Sequence, residues 1–258
     1  MAPQPKQPSP QSSSLPTSSA LKPRSSSRPP HAFKNRMALG AYIDAPESFP
    51  PSVVIYHNAD FVVIHDRFPK ATVHILLLPR SPQHRLLHPF EALQDVEFLG
   101  KVRAETERLK VLAAGELQRR LGRFSRADAR REAVLNGEEE EADLPQLPRG
   151  RNWLAEIRCG VHAVPSMGHM HVHVFSRDMH SPCMKHRKHY NSFNTPFLVD
   201  IADFPLARED VGRGRGDARE QGFMKRDLVC WRCGRNFGNR FKELKGHLED
   251  EFEQWKRE

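Results

Sequence analysis

The chain has 258 residues, room for one medium domain and a small second module. Lys and Arg total 40 against 32 acidic residues, and a formal net charge of +8 favours a polyanionic partner such as nucleic acid. The four cysteines (Cys159, Cys183, Cys230 and Cys233) do not make a secreted disulfide framework, and no apolar run could span a membrane or form a signal-peptide core.

Residues 1–31 are rich in Pro, Ser and Gln. Such a tail cannot bury enough apolar surface to offset its ordering entropy, so disorder is expected. Its lack of acids suits a mitochondrial transit peptide, but its prolines oppose the amphipathic helix such a peptide needs. Order is expected from about Phe33. "RMALGAYIDAPESF" reads as a short helix ending before Pro46. "SVVIYHN" and "FVVIHD" read as a hairpin, and "ATVHILLLPR" as a third strand stopped at Pro79. From Phe90 to Leu121 apolar residues recur at helical spacing, which predicts one long amphipathic helix. Residues 122–150 join a basic block to an acidic run and prolines, and read as a solvated, low-complexity insertion. "NWLAEIRCGVHAV" and "HMHVHVFS" read as two more strands around a tight "PSMG" connection. Residues 209–222 form a second linker before a last module, 223–258. The expected fold class is α+β: an antiparallel sheet flanked by helices over residues 32–208, with a small zinc finger appended.

"HAVPSMGHMHVHVFSRD" places His162, His169, His171 and His173 close together. In a strand, alternate side chains share a face, so the last three point one way while Met170, Val172 and Val174 point into the core. Same-face neighbours lie about 6.8 Å apart, too far for one atom to meet all three rings but near enough for a phosphate-sized group. Three readings compete: a polar strand face, a metal centre, and a phosphate-handling site. No Asp, Glu or Cys stands close in sequence to complete a metal shell, and Asp178 falls past the strand. Ser166, Met167 and Gly168 could cradle an anion on backbone N–H groups and the Ser166 hydroxyl. A neutral imidazole is a competent nucleophile at neutral pH. In "HDRFPK", Asp66 either caps a strand-end turn or accepts hydrogen bonds from ribose hydroxyls. "SPCMKHRKHYNSFN" is either a charged surface loop or part of a nucleic-acid groove.

Near the C-terminus stands Cys230-x2-Cys233-x13-His247-x3-Glu251, a zinc-finger layout. His247 and Glu251, four residues apart, would project from one helix face. Whether Glu251 or a water is the fourth ligand stays open. Phe237 and Leu244 stand where a small finger needs its core. Arg232, Arg235, Arg240, Lys242 and Lys245 could make sequence-independent phosphate contacts.

"HMHVHVF" resembles the alternating motif of the histidine-triad nucleotide hydrolases and transferases. Together with "DRFPKATVHILLLPR" upstream and "SPCMKHRKHYNSFNTPF" downstream, the chain is similar to the aprataxin branch, which repairs adenylated DNA ends. The resemblance implies that His171 is the nucleophile, that His173 contacts phosphate oxygens, and that His162 serves the leaving DNA phosphate. It implies a supporting role for His169, with Ser166 and Met167 also at the site. Asp66, Phe68 and Lys70 would bind the nucleotide. Lys185, His189 and Ser192 would touch DNA, and Leu39 and Tyr42 would form a wedge against the terminal base pair. It further implies a structural zinc with Glu251 as fourth ligand, no metal at the triad, nicked or double-stranded DNA as partner, AMP as product, and a monomer. A nuclear location is expected from the substrate and from "KPRSSSRPP". Two other functions are carried: a general hydrolase of small AMP conjugates, and a zinc-finger DNA-binding adaptor with an inert triad.

Overall fold

The computed structural model describes Met1 and residues 35–138, 147–207 and 222–258. The expected tail and the second linker fall almost wholly outside these residues. A short helix α1 (Gly40–Asp44) leads into the hairpin β1 (Val54–His57) and β2 (Phe61–His65), followed by β3 (His74–Pro79). Next come α2 (Pro89–Ala92), α3 (Val96–Leu121) and α4 (Arg126–Leu135). Strands β4 (Ile157–His162) and β5 (Val172–Ser176), helix α5 (Arg187–Asn194), a two-residue β6 (Leu198–Val199) and helix α6 (Phe241–Trp255) complete the order. The six strands pair antiparallel in the order β1-β2-β3-β5-β4-β6.

Strand alternation decides which side chains meet which layer. Ile75 and Leu77 of β3, and Val172 and Val174 of β5, pack with Leu99, Val102, Leu109 and Leu117 of α3. Leu76 and Leu78 face the other way, with Val62 and Ile64, and are covered by Leu39 and Ile43 around α1. Phe175 packs on that second side with Phe193 of α5 and the finger residues Leu228, Phe237 and Leu244. Met170, Val172 and Val174 are buried as expected.

Two sequence expectations need correction. The single helix from Phe90 to Leu121 is broken: Asp95 caps α3 by accepting the Glu97 and Phe98 N–H groups at 3.0 and 3.1 Å. A capping carboxylate satisfies otherwise orphaned donors and so starts a helix where periodicity alone would run on. The region 122–150 is also not wholly solvated. Residues 126–135 form α4, capped by Ser125. Buried Asp128 accepts the Trp153 indole N–H at 2.8 Å and the Arg151 backbone N–H at 2.8 Å.

The finger is seated on this same corner. The Arg151 guanidinium lies 4.5 Å from the Trp153 ring and 4.5 Å from the Trp255 ring, and donates to the Trp255 carbonyl at 2.6 Å. The Trp255 indole N–H donates to Glu156 at 3.0 Å. A planar cation between two indoles gains from both faces while keeping its hydrogen bonds.

Candidate active site

His173 is on β5 and His162 ends β4, so the antiparallel pairing of these strands brings the two rings to a centroid separation of 4.4 Å. His169 and His171 precede β5 rather than lying within it. All three alternating histidines are buried, each 5 % exposed. The His171 and His173 rings are 4.9 Å apart and nearly perpendicular.

Hydrogen bonds fix where the protons sit. His171 Nδ1 is 2.8 Å from the His169 carbonyl oxygen. A carbonyl only accepts, so Nδ1 carries the proton and the neutral ring keeps its lone pair on Nε2. This is the tautomer a nucleophile needs. A second chain fixes His173. His74 Nδ1 accepts the Lys70 backbone N–H at 3.0 Å, so the neutral His74 ring carries its proton on Nε2. That nitrogen is 3.0 Å from His173 Nδ1 and 3.5 Å from Asp66 Oδ2. His173 Nδ1 therefore accepts, and its Nε2–H becomes a buried donor with no partner among the described residues. The arrangement offers one lone pair beside one N–H donor, which can attack a phosphorus and bond its oxygens.

Electrostatics hold the rings neutral. Burial, opposed by Asp66, takes the His74 pKa down to about 4. Burial and then the neighbouring His171 take His162 down to about 3. Burial also lowers His171, and it lowers His173 well below the ordinary histidine range. The folded pKa values are depressed, so the unfolded chain binds more protons once pH falls below about 6.5. Stability is therefore expected to be full above that pH and to fall as the medium is acidified. His74 alone should cost about 2 kcal/mol by pH 5. Melting temperature against pH checks this. A His74→Gln variant should show a shallower fall between pH 6.5 and 5, and an unchanged slope would contradict the assignment.

His74 was not singled out from the sequence, yet it orients His173. Asp66 caps the turn, as one of its two sequence readings expects: Oδ1 accepts the Phe68 N–H at 2.8 Å, while Oδ2 faces His74. The fold therefore supplies the carboxylate that the sequence did not place near the triad. Ligand atoms of Asp66, His74 and His173 all lie within 4.8 Å of one another. Phe68 is exposed at the turn, 61 % accessible, and Lys70 Nζ donates to its carbonyl. Ser166 is exposed, with Met167 half-buried beside it. The Gly168 N–H is already given to the Arg36 carbonyl at 2.7 Å, which leaves Ser166 and Met167 to offer donors to an anion.

The expected DNA-facing residues divide. Lys185 is exposed and lies next to the His189 ring, its backbone N–H 3.2 Å from Nδ1. Ser192 is 7 % exposed and its hydroxyl donates within α5 to the His189 carbonyl. Leu39 is 7 % exposed and packs in the core with Ile43, because residues four apart share a helix face. Tyr42 is half-buried against Phe49, with ring centroids 4.7 Å apart. The solvent side of this segment instead carries Met37, Ala38 and Ala41.

Gly40 is a second residue the sequence did not flag. A Cβ there would come 2.9 Å from His169 Cε1, closer than such contacts allow. Helix propensity would ordinarily favour Ala by about 0.5–1 kcal/mol. Gly40→Ala is nevertheless expected to lower kcat about tenfold, because displacing His169 moves the carbonyl that fixes His171. Steady-state turnover checks this, and unchanged kcat would contradict the packing argument.

In the finger, the Cys230 and Cys233 thiols, the His247 imidazole and the Glu251 carboxylate converge, their ligand atoms all within 4.8 Å of one another. His247 Nε2 is 3.1 Å from Cys233 Sγ and 3.0 Å from Glu251 Oε1. Gly234, at φ 75°, closes the knuckle by donating its N–H to the Cys230 carbonyl, a left-handed turn that suits glycine. Two thiolates, an imidazole and a carboxylate are a tetrahedral zinc donor set, and the four fit that ion. Phe237 and Leu244 are buried beneath them as expected.

The sheet and its histidines define a histidine-triad domain joined to a zinc finger. A HIT domain model matches residues 48–180, and a C2HE / C2H2 / C2HC zinc-binding finger model matches 194–254. The chain is 32 % identical to an aprataxin-like protein of Saccharomyces cerevisiae over 219 residues, 84 % of this chain and 95 % of the relative. It is 34 % identical to an aprataxin-like protein of Schizosaccharomyces pombe over 217 residues, 84 % of this chain and 81 % of the relative. A crystal structure of the aprataxin ortholog Hnt3 in complex with DNA is similar at a TM-score of 0.63 and 31 % identity, covering 85 % of this chain and 96 % of that one. The chain belongs to the aprataxin family of histidine-triad proteins.

Proposed function

We propose that this protein is a DNA 5′-adenylate hydrolase that removes AMP from abortively ligated ends by way of a covalent adenylyl-histidine. The observation that carries this reading is the His171 Nδ1–H bond to the His169 carbonyl, which leaves the Nε2 lone pair free for attack. Nε2 bonds to the α-phosphorus of the AMP joined 5′-to-5′ to DNA. The bridging P–O bond breaks and the 5′-phosphorylated strand leaves, placed by His162. Water then attacks the phosphorus and gives up a proton to solvent as the P–N bond breaks, which yields AMP and returns the lone pair to Nε2 of neutral His171. The His173 Nε2–H donates to the non-bridging oxygens in both steps, where negative charge builds.

Asp66 accepts from the ribose hydroxyls, Phe68 packs near the adenine, and Lys70, Ser166 and Met167 surround the phosphate. His169 supports His171 through its carbonyl. Lys185 and His189 lie along the DNA path, with Ser192 acting from within α5. In place of Leu39, Met37, in the turn just before α1, is the exposed apolar side chain offered to a terminal base pair. Zinc held by Cys230, Cys233, His247 and Glu251 closes the finger and takes no part in the chemistry. The protein acts as a monomer in the nucleus.

The test is incubation with 5′-adenylated nicked DNA in competition with a small adenylated amine. Release of AMP with a ligatable 5′-phosphate, at higher kcat/KM for the DNA, is expected. Preference for the amine would favour a general nucleotide hydrolase. Binding without release of AMP would favour an adaptor.

A further inference from the structure

Helix α5 lies between the zinc knuckle and the triad and touches both. On the finger side, the Tyr190 hydroxyl donates to the Val229 carbonyl at 2.8 Å and accepts the Trp231 N–H at 2.9 Å. One oxygen thus grips both residues that flank the ligand Cys230. Asn191 adds a bond from its side-chain amide to the Arg226 carbonyl at 2.8 Å. Tyr190 and Asn191 are each 1 % exposed. One turn on, Phe193 faces the histidines. Its ring meets His74 edge-on at 5.3 Å and His173 edge-on at 5.1 Å, and lies tilted against His162 at 4.8 Å. The ring is 3 % exposed. Close-packed interiors transmit displacement, so an eight-residue helix gripped at one side cannot shift without carrying the other.

We propose that the Tyr190 hydroxyl is a positioning group for the reaction: it passes the closed geometry of the Cys230/Cys233 knuckle through α5 to Phe193, which sets the ring positions of His74, His162 and His173. When the knuckle opens, Phe193 withdraws and the His74–His173 hydrogen bond loosens. His171 is anchored separately, by the His169 carbonyl, and stays in place. Asp66 likewise keeps its own anchor, the Phe68 N–H at 2.8 Å, when His74 moves. The consequence is a loss in kcat with little change in KM, because the groups that shift are those contacting the phosphate as it reacts.

The test uses the full chain in three forms: zinc-loaded, stripped by a chelator and then reloaded, and Tyr190→Phe. Long-range imidazole 1H–15N spectra report each ring without turnover. Zinc release to a chelator and kinetics on a small adenylated amine complete the set. Tyr190→Phe is expected to lose zinc about tenfold faster and to show kcat lowered about tenfold, with KM within about twofold. Its His74 and His173 signals should move while those of His171 hold, and zinc-stripped wild type should show the same pattern, reversed on reloading. Spectra that superimpose with and without zinc would overturn the proposal, as would Tyr190→Phe kcat within about twofold of wild type. Collapse of every ring signal on stripping would overturn it too, since zinc would then be holding the whole fold. If Tyr190→Phe does not fold, the strip-and-reload spectra decide. The kinetic arm rests on the nucleotidyl-transfer reading above. Shifted rings in a protein that never cleaves the amine or adenylated DNA would sink that reading and leave the positioning intact.

Discussion

Replacing His171 with Ala is expected to lower AMP release from adenylated DNA by at least about 10⁴-fold while leaving affinity for unadenylated nicked DNA within about twofold. The size follows from the chemistry: with the nucleophile gone, water must attack directly, and one difficult displacement is no longer divided into two. DNA affinity should survive because the basic residues of the finger and α5 do not depend on this ring. The substitution also leaves a void among buried imidazoles, but among the described residues the His171 ring bonds only to the neighbouring His169 backbone, so the relay from Lys70 through His74 to His173 stays whole. AMP release by chromatography and binding by fluorescence anisotropy check the two halves. Near-normal release by the variant would remove His171 from the reaction.

Cys233→Ser carries the second large effect. Zinc binding contributes about 10–16 kcal/mol to folding a finger of this kind, as much as the whole stability of a typical domain. The small core of Phe237, Leu244 and Leu248 cannot replace it. The variant should purify without zinc, and its DNA affinity should fall by about 100-fold or more, with a shallower dependence on salt. The salt slope changes because exposed Arg235, Arg240 and Lys242 and half-buried Lys245 lose the folded module that presents them to phosphates, while Arg232 is taken up by Glu251 and Glu258. Cleavage of a small adenylated amine should fall less, by about tenfold, through the displacement of α5. Zinc content, binding isotherms at two salt concentrations and turnover of both substrates measure these effects. Equal loss on DNA and on the amine would deny the finger a separate DNA-holding role.

What the sequence disclosed, and what it hid, divides along the range of the interactions. Alternation at His169, His171 and His173 is local and could be read at once, as could the spacing of Cys230, Cys233, His247 and Glu251. His74 could not. It stands in the apolar run "ATVHILLLPR", and only the register of β3 on β5 brings it to His173, 99 residues away. Gly40 and Phe193 act on the triad in the same way, through packing that no short motif encodes. Other misses were avoidable. Ser125 and Asp128 have the spacing of a helix cap, which marks the start of α4 inside a stretch that composition alone makes look solvated. Leu39 and Ile43 stand four residues apart, which already places both on one buried face of the helix.

The most direct measurement follows phosphorus. Protein mixed with DNA adenylated by α-³²P-labelled AMP, quenched within one turnover and separated under denaturing conditions, should carry label that is lost in acid, is stable to hydroxide, and maps to the peptide containing His171. Turnover that unblocks the DNA end with no label ever reaching that peptide would contradict attack by the imidazole and require direct hydrolysis by water.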